Sequence, residues 1–87
     1  MARYSVVIKP SAIKEIEGVG QKKDRRRIVT RIQALGENPR PQGCEKLSGQ
    51  LDRYRVREGN YRIVYAIDDD ALLVDIVKVG HRKDVYR

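Results

Sequence analysis

The sequence predicts an α+β fold: a strand, a two-helix hairpin and then a three-stranded antiparallel meander, with both helices on one face of a single sheet. Three observations predict it. A β-rich run ends at a proline near the N-terminus, two stretches with helical spacing of apolar residues follow, and the second half of the chain alternates apolar and charged residues. Because 87 residues suffice for one hydrophobic core only, we expect a single domain spanning residues 1–87.

Pro10 separates the first strand from the first helix. The run Arg3 to Lys9 is rich in β-branched and aromatic residues, and a proline directly after it suits the first position of a helix. We therefore expect a strand up to Lys9 and a helix over roughly Ser11 to Gly18. The buried stripe of this helix is predicted to contain Ala12, Ile13, Ile16 and Val19.

The second helix is expected over roughly Gln21 to Leu35, ended by Gly36 and Pro39. Its buried stripe is predicted to contain Ile28, Ile32 and Leu35. The first half of the helix carries the basic run 22–27, Lys-Lys-Asp-Arg-Arg-Arg. Such a run indicates either a solvated outer face or one wall of a nucleic-acid groove.

A β-hairpin is predicted where arginine and apolar residues alternate on both sides of Gly59-Asn60. The segment before it, Glu37 to Gln50, has prolines and glycines but no periodicity, so we expect a loop there. The predicted cross-strand pairs are Arg53 with Ala66, Tyr54 with Tyr65, Arg55 with Val64, Val56 with Ile63, Arg57 with Arg62, and Glu58 with Tyr61.

The last strand is expected over Ala71 to Val79, after the acidic turn 68–70. A two-residue loop at Asp69-Asp70 would leave alternate residues of this strand on the core face. The core-facing set would be Leu72, Val74 and Ile76. The set on the opposite face would be Leu73, Asp75, Val77 and Val79.

One sheet face collects the arginines of the hairpin. We define the arginine face as the sheet face that carries Arg53, Arg55, Arg57 and Arg62. Arg57 lies directly opposite Arg62 in the predicted register, and like charges across two strands cost stability unless an anion lies between them. The meander brings the end of the last strand beside Arg62, so part of the C-terminal tail is expected there too. The tail residues concerned are His81, Arg82 and Tyr86.

Composition narrows the range of partners. The net charge is +7 and the pI about 9.9, which indicates a polyanionic partner, an acidic protein partner or both. No apolar run is long enough to span a membrane and no signal peptide is evident, so we expect a cytoplasmic protein. With one cysteine, Cys44, and one histidine, His81, we expect no disulfide, no metal site and no cofactor.

Clustered guanidinium groups suit the cleavage of RNA. The 2′-hydroxyl must lose a proton, the phosphorane's added charge must be stabilised, and the leaving 5′-oxygen must gain a proton. Arginines supply the stabilisation through bidentate contacts, and a histidine or tyrosine can supply the proton transfers, so no metal would be required.

Three segments of the chain are similar to one known family. They are Lys46-Leu47-Ser48-Gly49, the hairpin segment 54–65, and the C-terminal segment 79–87, Val-Gly-His-Arg-Lys-Asp-Val-Tyr-Arg. The sequence resembles the RelE family of the RelE/ParE toxin superfamily, which are toxins of type II toxin–antitoxin modules. The resemblance implies an mRNA interferase, a metal-independent endoribonuclease that cuts mRNA in the ribosomal A site and is neutralised by a cognate antitoxin.

The resemblance also implies roles for individual residues. Arg62 and Arg82 match the arginines that grip the scissile phosphate, and Tyr86 matches a tyrosine that stacks on or orients the substrate. Arg55 and Arg57 match a basic pair that binds RNA, with Arg53 on the same strand; some members have lysines in that pair. Because arginine stays protonated, the acid/base candidates are His81 and Tyr86.

Two other classes of function stay open. A ParE-like member would poison DNA gyrase instead of cutting RNA, and a decayed relative would act only as a partner-binding module. Members of the ParE type commonly lack the full basic and tyrosine set. That set in this chain is Arg55, Arg57, Arg62, Arg82 and Tyr86.

Overall fold

The computed structural model describes residues 3–49 and 52–81 of the chain. The elements in chain order are β1 (Ser5–Ile8), α1 (Pro10–Glu17), α2 (Lys22–Glu37), β2 (Glu45–Lys46), β3 (Arg53–Glu58), β4 (Tyr61–Asp68) and β5 (Leu73–His81). The predicted α+β class is confirmed. Each predicted helix is present, within two residues of its expected ends.

The strands form one five-stranded sheet in the order β1-β5-β4-β3-β2. β1 runs parallel to β5, and the remaining neighbours are antiparallel. Both helices pack on the same sheet face, where one apolar cluster forms the core. Its largest fully buried side chains are Tyr65, Ile28, Ile32, Leu35, Ile63, Ile76, Val56, Val74 and Val79. The second helix therefore buries the predicted stripe.

The hairpin register is confirmed pair by pair. All six predicted pairs between β3 and β4 are present, from Arg53 opposite Ala66 to Glu58 opposite Tyr61. Gly59 begins the connection with a φ of 62°, a conformation that glycine adopts without steric cost. Because side chains alternate along a strand, this register fixes which residues share the face away from the helices.

The last strand differs from the prediction at a β-bulge. Tyr65 pairs with Ile76 but Val64 pairs with Lys78, so Val77 is an extra residue in β5. One extra residue moves every later side chain to the other face. The expectation that Val79 lies on the arginine face is therefore wrong, and Val79 is 1% exposed in the core.

Three further expectations need correction. Leu72 is not in the core: it belongs to the turn before β5, with φ 52°, and is 38% exposed. This turn is longer than expected because Asp68 Oδ1 accepts hydrogen bonds from two backbone N–H groups within it. Ile13 is 43% exposed, since the eight-residue α1 buries only Ala12 and Ile16. The predicted loop contains β2, which at two residues is too short to show a period.

The end of α2 lies unusually close to β1. Tyr4 N donates to Gly36 O at 2.8 Å, and a Cβ added to Gly36 would lie 3.0 Å from both Tyr4 O and a methyl group of Val6. We expect Gly36→Ala to destabilise the fold by about 1–3 kcal/mol, because crowding of the β1 backbone outweighs the better helix propensity of alanine. The measurement is the urea midpoint of unfolding.

The matched control is Gly20→Ala. No atom would lie within 4 Å of a Cβ at Gly20, so the free energy of unfolding should be unchanged or slightly higher. Equal stability of the two variants would contradict the close approach of α2 and β1.

Candidate nucleic-acid interface

Strand alternation builds the arginine face. On β3, Tyr54 and Val56 face the helices, so the arginines between and beside them project from the other side of the sheet. Val64 lies opposite Arg55 on this face and is only 8% exposed. The arginines therefore stand over a buried apolar floor, where ionic contacts are stronger than in open water.

Arg57 and Arg62 form the like-charge pair that the sequence predicted. The Arg57 side chain is exposed, and its Nε donates to the carbonyl oxygen of Gly59 at 3.0 Å. Gly80 lies opposite Arg62 on the other neighbouring strand, so no side chain of β5 stands beside the Arg62 position. Two guanidinium groups next to a side-chain gap make a suitable place for a phosphate group.

Arg55 is held by a contact that the sequence reasoning missed. Its Nη2 donates to Glu45 Oε2 at 3.0 Å, and Glu45 lies directly opposite it on β2. The ion pair keeps Arg55 in a defined position on the arginine face. Arg53 lies further along β3, with its Nε 3.9 Å from Asp52 Oδ1, beyond hydrogen-bond distance. The sequence carried no periodic signal for β2, because a strand of two residues is too short to show alternation.

His81 lies on the other side of the sheet from Arg62. It pairs with Tyr61 across the strands, and the two rings meet edge to face at 5.7 Å and 78°. Tyr61 packs against the core, and both rings line a cavity of about 360 Å³ with Gly18 and Val19 from the end of α1. The structure therefore does not bring His81 to the arginine face. Arg82 and Tyr86 lie outside the described residues.

A polar cluster closes the end of the sheet near Tyr54. Arg40 donates from both Nη atoms to the Asp69 carboxylate, at 3.2 and 2.9 Å, and its guanidinium lies over the Tyr54 ring. Tyr4 donates its hydroxyl to Asp69 Oδ1 at 2.6 Å. The cluster ties the loop after α2 to the turn between β4 and β5. Nearby, the buried Tyr65 donates its hydroxyl to Pro39 O at 2.8 Å.

Asp69 makes this cluster sensitive to acid. Hydrogen bonds from Arg40 and from Tyr4 hold the pKa of Asp69 below its ordinary value of 3.8. The contribution of Asp69 to stability is therefore complete above about pH 4 and is lost as the pH falls through the lower folded-state pKa. We expect Asp69→Asn to lower the melting temperature at neutral pH and to change it much less at about pH 3.

Thermal unfolding of both proteins over this pH range measures the effect, with Asp70→Asn as the control because the Asp70 carboxylate takes no part in the cluster. A stability difference between wild type and Asp69→Asn that stays constant down to pH 3 would contradict the role of Asp69.

Neither a metal-ligand group nor a membrane-spanning helix is found among the described residues. Among residues 3–49 and 52–81, no three His, Cys, Asp or Glu side chains are grouped so that they could hold a metal ion. In the same part of the chain, no helix has the length and apolar character needed to cross a membrane.

Known proteins share this sequence pattern. The model of a family described as the ParE toxin of type II toxin–antitoxin systems, parDE, matches residues 6–86. A putative RelE-like toxin protein from Escherichia coli is 31% identical over 88 residues, covering 97% of this chain and 90% of that protein.

Solved structures share the fold at a similar level of identity. A chain of the archaeal RelE–RelB complex from Pyrococcus horikoshii OT3 is 28% identical with a TM-score of 0.82, covering 98% of this chain and 100% of that one. A chain of the toxin–antitoxin complex RelBE2 from Mycobacterium tuberculosis is 26% identical with a TM-score of 0.80, covering 92% of this chain and 99% of that one.

Proposed function

The chain belongs to the ParE toxin family of type II toxin–antitoxin systems, within the RelE/ParE group, and from this premise we propose that it is a ribosome-dependent endoribonuclease. In this proposal the toxin enters the ribosomal A site and cuts the mRNA codon there, which stops translation. The observation that carries the proposal is the arginine face, on which Arg57 and Arg62 lie directly opposite each other.

The reaction that this face would support is an internal phosphoryl transfer. The 2′-oxygen of a nucleotide loses its proton and attacks the adjacent phosphorus, while the bond to the 5′-oxygen breaks and that oxygen gains a proton. The products are a 2′,3′-cyclic phosphate and a 5′-hydroxyl. The attack concentrates negative charge on the non-bridging oxygens. Guanidinium groups that the fold already holds in position stabilise this charge without having to move during the reaction.

Each arginine has a part in this proposal. Arg62 contacts the scissile phosphate, and Arg57 adds a second positive charge at that phosphate from the opposite strand. Arg55 and Arg53 bind the RNA backbone further along β3. Arg82 is assigned to the same phosphate from the tail.

The proton transfers are assigned to Tyr86. His81 was the other candidate from the sequence, but it lies against Tyr61 on the helix side of the sheet. We therefore expect His81→Ala to change the cleavage rate less than Tyr86→Phe does.

The proposed partner is a cognate antitoxin with an acidic segment. Two similar structures are complexes of toxin and antitoxin, and the net charge of +7 favours an acidic partner. Leu73 and Asp75 are two residues apart on β5 and therefore share one sheet face, the face away from the helices. Of the apolar residues expected there, Val79 is excluded because it is buried in the core.

A second candidate function follows from the name of the matching family. ParE-type toxins poison DNA gyrase, and the family model is described as ParE toxin. The two functions have different products, so two parallel assays distinguish them. The purified chain is added to a bacterial translation extract programmed with a defined mRNA, and separately to gyrase with supercoiled plasmid.

We expect new mRNA 5′ ends within A-site codons, mapped by primer extension, and none when ribosomes are omitted. The plasmid should remain uncleaved. Gyrase-dependent DNA breaks with intact mRNA would replace the proposal by the gyrase function. Failure of both assays with a folded chain would leave a partner-binding protein.

A further inference from the structure

A groove lined by arginines runs beside α2, on the sheet side opposite the arginine face. Its volume is about 380 Å³, and one wall is the end of β3. The lining residues are Arg26, Arg27, Thr30, Arg31, Ala34 and Glu58. We call it the α2 groove. The arginine face and the α2 groove meet at the end of β3, because Glu58 borders the groove and Arg57 next to it projects from the opposite face.

The helix that forms the groove places like charges at contact spacing. Lys23, Arg27 and Arg31 follow one another at intervals of four residues, which puts them side by side on one strip of α2. The N-terminal turn also carries lysines, although the helix dipole favours anions there. Asp24 is the acidic residue of the first turn, and no side chain caps the helix start. This arrangement is unfavourable in isolation and becomes favourable beside a polyanion.

Arg31 has unused hydrogen-bonding capacity inside the groove. Its Nε is buried and makes no hydrogen bond, although it forms an ion pair with Glu58 Oε1 at 4.0 Å. Arg25, on another side of α2, differs from it: its Nη1 donates to Val19 O at 2.6 Å and so supports the turn after α1. Arg25 therefore supports a turn, whereas Arg31 lies in the groove beside the carboxylate of Glu58.

We propose that the α2 groove is a second phosphate-binding surface, which holds the backbone of duplex RNA outside the codon that is cut. The choice of RNA over an acidic peptide follows from the lining. Ala34 is its one aliphatic member, so the groove offers no large apolar anchor of the kind an amphipathic helix needs. This inference rests on the proposed function in one respect: a toxin acting on the ribosome meets structured RNA around its substrate.

The test compares two double variants of the full chain that lose the same charge. Arg27→Gln/Arg31→Gln removes two cations of the α2 groove, and Lys9→Gln/Lys14→Gln removes two exposed cations near α1. Binding of a 20-base-pair duplex RNA is measured by fluorescence anisotropy across a range of salt concentrations. Circular dichroism confirms that both variants are folded.

We expect the groove variant to bind the duplex about tenfold more weakly. The negative slope of log K against log salt should also become less steep by about 1.5, because each phosphate contact that is lost reduces the number of counterions released on binding. The control should leave the slope within about 0.5 of the wild-type value. Equal losses in the two variants would overturn the proposal, since they would show an effect of net charge only.

A further probe separates the protein alternative. If the groove variant binds duplex RNA normally but loses affinity for a ten-residue polyglutamate peptide, the groove is a protein-binding surface and the proposal is wrong. The binding of duplex RNA is measured separately from mRNA cleavage, so the two proposals can fail independently. A chain that cuts no mRNA but needs Arg27 and Arg31 to bind duplex RNA would refute the proposed function and support the groove.

Discussion

Replacing Arg62 with alanine is expected to lower the rate of mRNA cleavage by about 10²–10³-fold, because it removes a donor aimed at the charge that develops on the phosphate. The same change should leave the free energy of unfolding within about 0.5 kcal/mol of wild type, since relief of the repulsion with Arg57 offsets the lost packing. Primer extension on programmed ribosomes and urea unfolding measure the two quantities.

Two variants serve as controls for Arg62→Ala. Arg62→Lys keeps the charge but not the bidentate contact, so we expect an intermediate rate. Arg3→Ala also removes one arginine, whose side chain is 76% exposed and paired with Glu37 far from the arginine face, and should cleave normally. Wild-type cleavage by Arg62→Ala would remove Arg62 from the site.

Ile76→Ala is expected to destabilise the fold by about 2–4 kcal/mol and to lower the melting temperature by about 10 °C or more. Ile76 is 0% exposed and lies on β5, an interior strand of the sheet, between Ile8 of β1 and Tyr65 of β4. Its truncation leaves a cavity that neighbours on two strands would have to fill. Thermal unfolding measures the change.

Val7→Ala is the matched control, because Val7 lies on β1 next to the same strand but is 48% exposed. Its melting temperature should change by no more than about 3 °C. If both variants melted alike, the buried position of Ile76 in the core would be contradicted.

The sequence was sufficient for the hairpin because two independent local signals agreed. Alternation gave the faces of β3 and β4, and Gly59-Asn60 gave the position of the turn, so together they determined every pair. The like-charge pair of Arg57 and Arg62 followed without any knowledge of the rest of the fold. The arginine face was therefore predictable as far as the hairpin reaches.

The sequence was insufficient for β5 because its bulge has no local signature. Val77 is an ordinary β-branched residue in a β-rich run, and only pairing with β4 shows that it is extra. The same shift accounts for His81, which the expected alternation would have assigned to another face. Contacts such as Arg55 with Glu45, and Arg31 near Glu58, also depend on tertiary placement and carry no periodic signal.

The position of β5 has a consequence for the order of events during synthesis. Its residues Val74 and Ile76 pair with Val6 and Ile8, which lie 68 positions earlier, and they also pair with β4. Until β5 has been made, β1 has no partner strand and the helices have only part of a sheet to cover. A hairpin alone is marginally stable in water. A nascent chain that stops before Leu73 therefore lacks a stable arginine face, because β4 has no partner strand on the side that β5 occupies in the folded sheet.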